Sequence, residues 1–322
     1  MNNKKYNTIF IGTPDFSVPT LQALISDERF SVLAVVTAPD AKVGRKQILT
    51  PPPVKVEVKK HSIPVLQPEN IINITDEIQE LNPDVIITIA YGQILPPKIL
   101  KIPKHGCLNL HASLLPKYRG ASPIQTAIAN GETETGVTLM KMDEGLDTGD
   151  IIAQEKIKID KLETGETLHD KLAKLSAGVL KKYLLKYLLD ELKPQAQDDS
   201  RATLAPKLTR EHGRIDWKKT AKEIERLVRA YTPWPGTYTH LRQGYDGQAK
   251  LNDKVLKIIS TGDVVKINKY KTGYVFLYDS QIAVQCGQDA LIIKQLQLAG
   301  KKIMSAKEFL VGNKNVVGSI LK

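Results

Sequence analysis

Asn109 and His111 sit two residues apart in an apolar run, inside the stretch Cys107–Gly120 that reads CLNLHASLLPKYRG. Side chains at i and i+2 of an extended strand project from the same face, so an amide donor and an imidazole would stand side by side near a strand end. Open α/β sheets place their ligands at such ends. A loop containing Ser113, Pro116, Arg119 and Gly120 follows at once. Further on, Met140–Asp150 (MKMDEGLDTGD) is an acidic loop with glycines. It fails as a calcium loop, because counting from Asp143 the third position is Gly145 where an acid is required. Its Asp147 could instead orient the His111 ring. An amide, an imidazole and a carboxylate without a protein nucleophile suit direct transfer of an acyl group between two bound substrates. Asn109 would donate to the oxyanion of a tetrahedral intermediate, worth about 3–4 kcal/mol. His111 would handle protons, worth about 10²–10⁴-fold.

Other chemistries find no support in the sequence. Gly12-Thr13-Pro14-Asp15-Phe16 is a tight strand-to-helix turn without the G-x-G-x-x-G dinucleotide fingerprint, and no Walker A motif occurs. The chain has no G-x-S-x-G elbow for a covalent acyl-enzyme. Cys107 and Cys286 lie far apart with no Cys/His cluster near either, so neither a structural zinc nor a disulfide framework is expected. His61, His105, His169, His212 and His240 lie in polar or helical contexts and read as surface residues.

These groups need a scaffold, and the first 142 residues describe one. Asn7–Ile11, Ser31–Thr37, Asp84–Ala90, Cys107–His111 and Val137–Met142 read as strands; Ser17–Ser26, Val54–His61 and Ile74–Leu81 read as helices. Strands alternating with helices predict an α/β fold, a Rossmann-like, doubly wound and mostly parallel sheet. Thr167 with Asp170 resembles a capping box opening a long helix that ends near Lys193. Lys193–Thr209 is polar and aperiodic and reads as a linker. After it come an amphipathic helix, Thr220–Tyr231, and short β-rich pieces at Val255–Ile259, Tyr274–Tyr278, Ile282–Cys286 and Leu291–Leu296, which predict a small OB-like barrel. The expected domains are therefore 1–192, a linker at 193–209, and 210–322. Between Thr37 and Val54 runs TAPDAKVGRKQILTPPPV, a connection long enough to be either functional or disordered.

Charge divides along the same boundary. Residues 1–205 hold 25 Lys/Arg and 25 Asp/Glu, while residues 206–322 hold 21 and 10, so the last third carries the whole excess of +11. That distribution points to an enzyme core beside a domain that meets a polyanion. A lysine-rich surface from genome composition is the plainer alternative. With 42% hydrophobic residues the chain can build real cores. No apolar run is long enough for a signal peptide or a membrane span, so a cytoplasmic protein is expected.

The pattern Asn109-x-His111-x-Ser113-Leu114-Leu115-Pro116-x-x-Arg119-Gly120, followed by Gly145-Leu146-Asp147-Thr148-Gly149, resembles the folate-dependent formyltransferase family. Gly12–Phe16, Ala90-Tyr91-Gly92-x-Ile94-Leu95-Pro96 and Thr232-Pro233-Trp234-Pro235-Gly236 fall in matching places, so the resemblance covers essentially the full chain. It implies a catalytic trio of Asn109, His111 and Asp147, with no metal. It implies 10-formyltetrahydrofolate as formyl donor, contacted by Ser113, Leu114, Leu115, Pro116, Tyr91 and Gly92. The implied acceptor is the α-amine of methionine carried on an initiator tRNA, with Lys42, Arg45 and Lys46 of the long connection reaching its acceptor stem. A monomer is expected. Ala112 departs from the glycine usual in this family, and Gly44-Arg45-Lys46-Gln47 lacks a second glycine after the arginine. Formyltransferases acting on sugar nucleotides or on glycinamide ribonucleotide would share the trio, as would a formyl-folate hydrolase, but none of them needs a basic last third. A pure RNA-binding module would not need the trio at all.

Overall fold

In the computed structural model, residues 5–44, 46–243 and 252–322 are described. They form two compact units: Met1–Pro123, Glu134–Lys158 and His169–Ala205 make the first, and Ile124–Thr133, Ile159–Leu168 and Pro206–Lys322 the second. In chain order the strands up to residue 158 are β1 (Tyr6–Gly12), β2 (Phe30–Val36), β3 (Ala41–Val43), β4 (Ile48–Thr50), β5 (Val65–Leu66), β6 (Val85–Ile89), β7 (Cys107–His111), β8 (Glu134–Lys141) and β9 (Ile151–Lys158). The helices are α1 (Val18–Ile25), α2 (Pro53–Val58), α3 (Thr75–Glu80), α4 (Pro97–Leu100), α5 (Pro123–Asn130), α6 (Gly165–Leu188), α7 (Ala221–Ala230) and α8 (Ala306–Gly312).

The first unit is built on one sheet of order β5-β2-β1-β6-β7-β8-β9. Pairings from β5 through β7 are parallel, and β7–β8 and β8–β9 are antiparallel. The chain moves outward from β1 to β2 and β5, then returns to place β6 on the other side of β1. That reversal is a topological switch point, the place where open α/β sheets bind ligands beyond the carboxyl ends of their strands. The central strands are buried along their length, as the continuous apolar run Val85–Ile89 requires. Ile9, Ile11, Ile86 and Cys107 share a core cluster with Tyr91, Leu95 and Ile99, beneath the face from which Asn109 and His111 also project.

The expected strands and helices of the first 142 residues are present, with ends shifted by a few residues. The short β3–β4 ladder, β5, α4, α5 and, further on, β9 are additions. The Thr37–Val54 connection, open in the sequence between function and disorder, folds as a hairpin in which Ala41 pairs with Thr50 and Val43 with Ile48. Asp40 anchors its root through Lys55 Nζ (2.7 Å) and Gln67 Nε2 (2.9 Å). Gln47 takes φ +50° there, a left-handed conformation that a glycine would enter more easily. The long helix α6 begins at Gly165 rather than Thr167, since the Thr164 hydroxyl accepts the Thr167 N–H at 3.2 Å.

The second unit holds β10 (Thr237–Gln243), β11 (Asn252–Val265), β12 (Val275–Tyr278), β13 (Gln281–Gln285), β14 (Ala290–Leu298) and β15 (Met304–Ser305). Their order is β10-β11-β14-β13-β12, with β15 on β14, and all pairings are antiparallel. Residues 318–322 pair with both edges of this sheet. The His240 and Lys322 backbones exchange two hydrogen bonds, while Val275 bonds Gly318 and Ser319, and Leu321 bonds Gly273. The amphipathic helix α7 is capped by a Thr220–Glu223 box and buries Ile224 and Val228 against Leu256, Ile258 and Leu291.

One acid-sensitive anchor lies in the first unit. Glu57 of α2 accepts from Lys60 (2.7 Å), from Gln22 of α1 (2.9 Å) and faces a ring nitrogen of His61 (3.4 Å). Lys60 first, then Gln22, hold its carboxyl down at about 2, against an ordinary 4.5. A depressed folded-state value stabilises the fold above pH 4.5, and that stabilisation is lost as pH falls from 4.5 toward 2. Glu57→Gln is therefore expected to flatten the acid limb of the stability curve in that window, measured as urea midpoint against pH; an unchanged limb would remove Glu57 from the account.

Candidate active site

β7 delivers Asn109 and His111 together. In register, Asn109 lies beside Thr88 of β6 and Met140 of β8, and His111 lies opposite Thr138. The Asn109 amide is half-buried and makes no hydrogen bond within the described residues, so its donors remain free for a ligand. His111 is buried. Its Nε2 lies 2.9 Å from the Tyr118 carbonyl oxygen and its Nδ1 3.6 Å from an Asp147 carboxylate oxygen. Both ring nitrogens therefore face oxygen acceptors. The longer contact exceeds hydrogen-bond range, and contacts of this kind commonly tighten in a reacting complex.

Asp147 arrives from the loop between β8 and β9. That loop is closed at its base by Lys141 N–H donating to the Asp150 carbonyl (2.9 Å). Within it, Asp143 accepts from Gly145 N–H (3.1 Å) and the Thr148 hydroxyl (2.7 Å). At its tip Asp147 has φ +53°, a left-handed conformation that aspartate tolerates better than most side chains. Its carboxylate accepts the Gly120 N–H at 2.8 Å. Gly120 has φ +115°, and a Cβ there would lie 2.7 Å from the Ala205 carbonyl oxygen, so only glycine fits. The two residues thus join the loop after β7 to the loop after β8.

The Ser113–Pro116 turn is braced from below rather than left open. The Ser113 hydroxyl donates to the Lys117 carbonyl (2.6 Å), and the Thr138 hydroxyl donates to the Ser113 carbonyl (2.6 Å). Gln154 Nε2 of β9 donates to the Leu115 carbonyl (2.8 Å). Ser113 and Leu115 are buried, while Leu114 and Pro116 are half-buried. Ala112 is not in the left-handed region, so alanine fits where the family usually has glycine. On the neighbouring strand end, Ala90 and Gly92 take φ +49° and +88°, turning the chain sharply and burying Tyr91 between them. Lys42 and Lys46 are exposed on and beside the β3–β4 hairpin, whereas Arg45 lies outside the described residues.

Sequence reading missed what holds the trio. Tyr118, at φ +62°, supplies the carbonyl for His111, and its own N–H donates to the Thr203 hydroxyl (2.9 Å). Residues 203–205 pair with 116–122: Arg119 N–H donates to the Thr203 carbonyl (2.9 Å), and Ala205 N–H to the Arg119 carbonyl (2.7 Å). Gln195 exchanges two backbone bonds with Ile151, and Gln197 bonds the Asp147 loop. The one available signal was Arg119 inside the motif, whose buried guanidinium reaches Gln197 and Asp199.

The remaining candidate groups are structural. Burial pushes the Cys107 and Cys286 thiols up to about 12, which makes them packing groups and not nucleophiles. His169 packs on Phe16 and lies near Asp15 and Asp170, His61 meets Glu57, and the His212 ring accepts the Thr209 N–H, so these three have partners that the sequence did not reveal. Among the described residues no group of three or more His, Cys, Asp or Glu could hold a metal ion, and no helix is long and apolar enough to cross a membrane.

A switch-point sheet carrying a free amide, a buried imidazole and a carboxylate, without a reactive thiol or an elbow serine, suits acyl-group chemistry that needs no covalent intermediate with the protein. The chain belongs to the formyl transferase family: residues 5–184 match the formyl transferase model, and residues 207–314 match the model of its C-terminal domain. Curated relatives are methionyl-tRNA formyltransferases. Those of Caldanaerobacter subterraneus subsp. tengcongensis and Geobacter metallireducens are each 46% identical, covering 98% of this chain and 99% of the relative in the first case and 94% of both in the second. That of Halalkalibacterium halodurans is 47% identical over 97% of both chains. Among solved structures, the N-formyltransferase from Helicobacter canadensis, in complex with folinic acid and dTDP-3-aminofucose, has a TM-score of 0.64 at 21% identity, covering 89% of this chain and 98% of that one. HypX from Aquifex aeolicus, in complex with tetrahydrofolic acid, has a TM-score of 0.60 at 17% identity, covering 95% of this chain and 47% of that one.

The geometry of Asp147 separates its charge from its shape. Asp147→Asn keeps a residue that tolerates the left-handed backbone and keeps an oxygen for the Gly120 N–H. It is expected to fold within about 0.5 kcal/mol of the parent yet to lose formyl transfer by about 10²-fold or more. Urea denaturation beside single-turnover rates checks this, and a parental rate would show that the charge facing His111 is not needed.

Proposed function

We infer that this chain transfers the formyl group of 10-formyltetrahydrofolate to the free α-amine of methionyl initiator tRNA, giving N-formylmethionyl-tRNA for translation initiation. The observation that carries the acceptor is 46–47% identity to methionyl-tRNA formyltransferases across nearly the whole of both chains. The likeness to sugar N-formyltransferases is confined to fold, at 21% identity.

In the mechanism, the neutral α-amine attacks the formyl carbon; free α-amines titrate near 7.7–8.0, so little activation is needed. The carbonyl oxygen becomes an oxyanion in a tetrahedral intermediate, and the Asn109 amide donates to it. The bond from the formyl carbon to N10 then breaks. One amine proton leaves and one proton arrives at N10, so the step is balanced without an outside acid. His111, held between the Tyr118 carbonyl and Asp147, stands beside Asn109 at this step, with Asp147 as the carboxylate through which a proton can be relayed by water. No covalent intermediate with the protein is needed.

The donor site we propose runs along the switch point, with Tyr91, Gly92 and Ser113–Pro116 around the folate. The backbone supports it: the sharp turn at Ala90–Gly92 leaves β6, and the braced Ser113–Pro116 turn leaves the adjacent β7, so both lie beyond the carboxyl ends of neighbouring strands.

For the acceptor we propose that residues 1–192 carry formyl transfer and that 193–209 lead to an OB-like tRNA-binding domain at 210–322. Residues 206–322 carry the whole positive excess, and the antiparallel sheet there has both edges paired by residues 318–322. Lys42 and Lys46, from the β3–β4 hairpin, would meet the acceptor stem together with Arg45. A monomer working in the cytoplasm completes this reading.

The test is direct. Purified protein with 10-formyltetrahydrofolate should formylate methionyl initiator tRNA and discriminate against methionyl elongator tRNA; formylation of a sugar nucleotide instead, with none on tRNA, would overturn the reading. Asn109→Ala is expected to lower kcat by about 10²–10³-fold with little change in tRNA affinity. An unaltered kcat would remove Asn109 from the oxyanion role.

A further inference from the structure

Gln197 lies in the polar segment after α6, far in sequence from every catalytic candidate, yet it grips the loop that carries Asp147. Its Nε2 donates to the Asp147 carbonyl at 2.8 Å and to the Gly149 carbonyl at 2.7 Å. Its Oε1 accepts from Arg119 Nε at 3.1 Å and from Arg119 Nη2 at 2.8 Å. The amide's two donors and two lone pairs are therefore all used. The orientation is also unambiguous, because arginine only donates and backbone carbonyls only accept, so a flipped amide would oppose like groups on both sides. Arg119 is 7% exposed and also reaches Asp199 at 2.7 Å.

We propose that Gln197 is a positioning residue for Asp147 and, through it, for His111. The two gripped carbonyls are that of Asp147 itself and that of Gly149 two residues on, so they fix the C-terminal side of the left-handed residue, a conformation that L side chains leave readily unless held. The carboxylate of that same residue must meet both the Gly120 N–H and His111 Nδ1. Arg119 fixes Gln197 from behind, which gives the arginine of the motif a task that needs no contact with substrate. Releasing the carbonyls lets the turn relax and draws the carboxylate away from the ring. A misplacement of about 1 Å can cost about 10²-fold in rate. This inference rests on the reading of Asp147 and His111 as reacting groups.

The informative variant is Gln197→Glu. It keeps the size of the side chain and an acceptor for Arg119 but has no N–H for the two carbonyls. It is measured beside Asp147→Ala and the double variant in the full chain, with 10-formyltetrahydrofolate and methionyl initiator tRNA. Gln197→Glu sets an acceptor against both carbonyl oxygens, so it is expected to melt below the parent temperature while staying folded at the assay temperature, and to lose about 10²-fold in kcat, with KM for both substrates nearly unchanged. In the double variant, the change at 197 should add less than about twofold to the loss from Asp147→Ala, as groups acting through one another are non-additive. Parental kcat in Gln197→Glu, or a full additional 10²-fold loss in the double variant, would overturn the proposal. Parental kcat in Asp147→Ala would instead remove Asp147 from the reaction, and the proposal with it. Should Gln197→Glu fail to fold, Gln197→Ala leaves Arg119 its contact with Asp199 and reads the same outcomes.

Discussion

A carboxylate from one loop has to meet an imidazole from another strand, and the bond from Gly120 N–H to Asp147 makes that meeting possible. His111 is fixed by β7, which is paired on both sides. Asp147 stands at the tip of a loop and could point elsewhere. The 2.8 Å bond ties that tip to the loop leaving β7, so the two groups share one rigid frame. Gly120 is constrained in turn by the Ala205 carbonyl pressed against it, and Tyr118 by Thr203. The site is therefore a junction of three chain segments around one ring, and the long Nδ1 contact is the adjustable distance within it.

Parts of this junction were legible from the residues alone. Asn109 and His111 could be read because an apolar strand fixes the face of every second side chain, a local rule that tertiary structure rarely reverses. The sheet was legible for a similar reason, since runs such as Val85–Ile89 have no stable home outside a covered parallel sheet. Asp147 was readable as a carboxylate in a glycine-bearing loop, but its left-handed backbone was not. Gln197 had no local signature. Its segment takes shape from pairings with Ile151 and with residues 116–122, and no periodicity records a partner some 80 residues away. The hairpin at Ala41–Thr50 escaped notice because its strands are three residues long and wholly exposed, leaving no alternation of buried and exposed positions to read.

Charge is spread unevenly along the chain. Residues 1–205, which hold the Asn109–His111–Asp147 junction, are neutral overall, whereas residues 206–322, with the antiparallel sheet whose two edges are covered, carry the whole excess of +11. A charge of that size favours the approach of a polyanion to that part of the chain. The exposed hairpin with Lys42 and Lys46 is a local basic projection from the otherwise neutral stretch.

The pairing of residues 203–205 with 116–122 also sets how much of the chain the site needs. Thr203 and Ala205 lie after every other residue of the junction, and they supply the partner of the Tyr118 N–H and of both backbone groups of Arg119. A polypeptide cut short before Thr203 would carry Asn109, His111 and Asp147 while lacking the backbone that holds the turn between them.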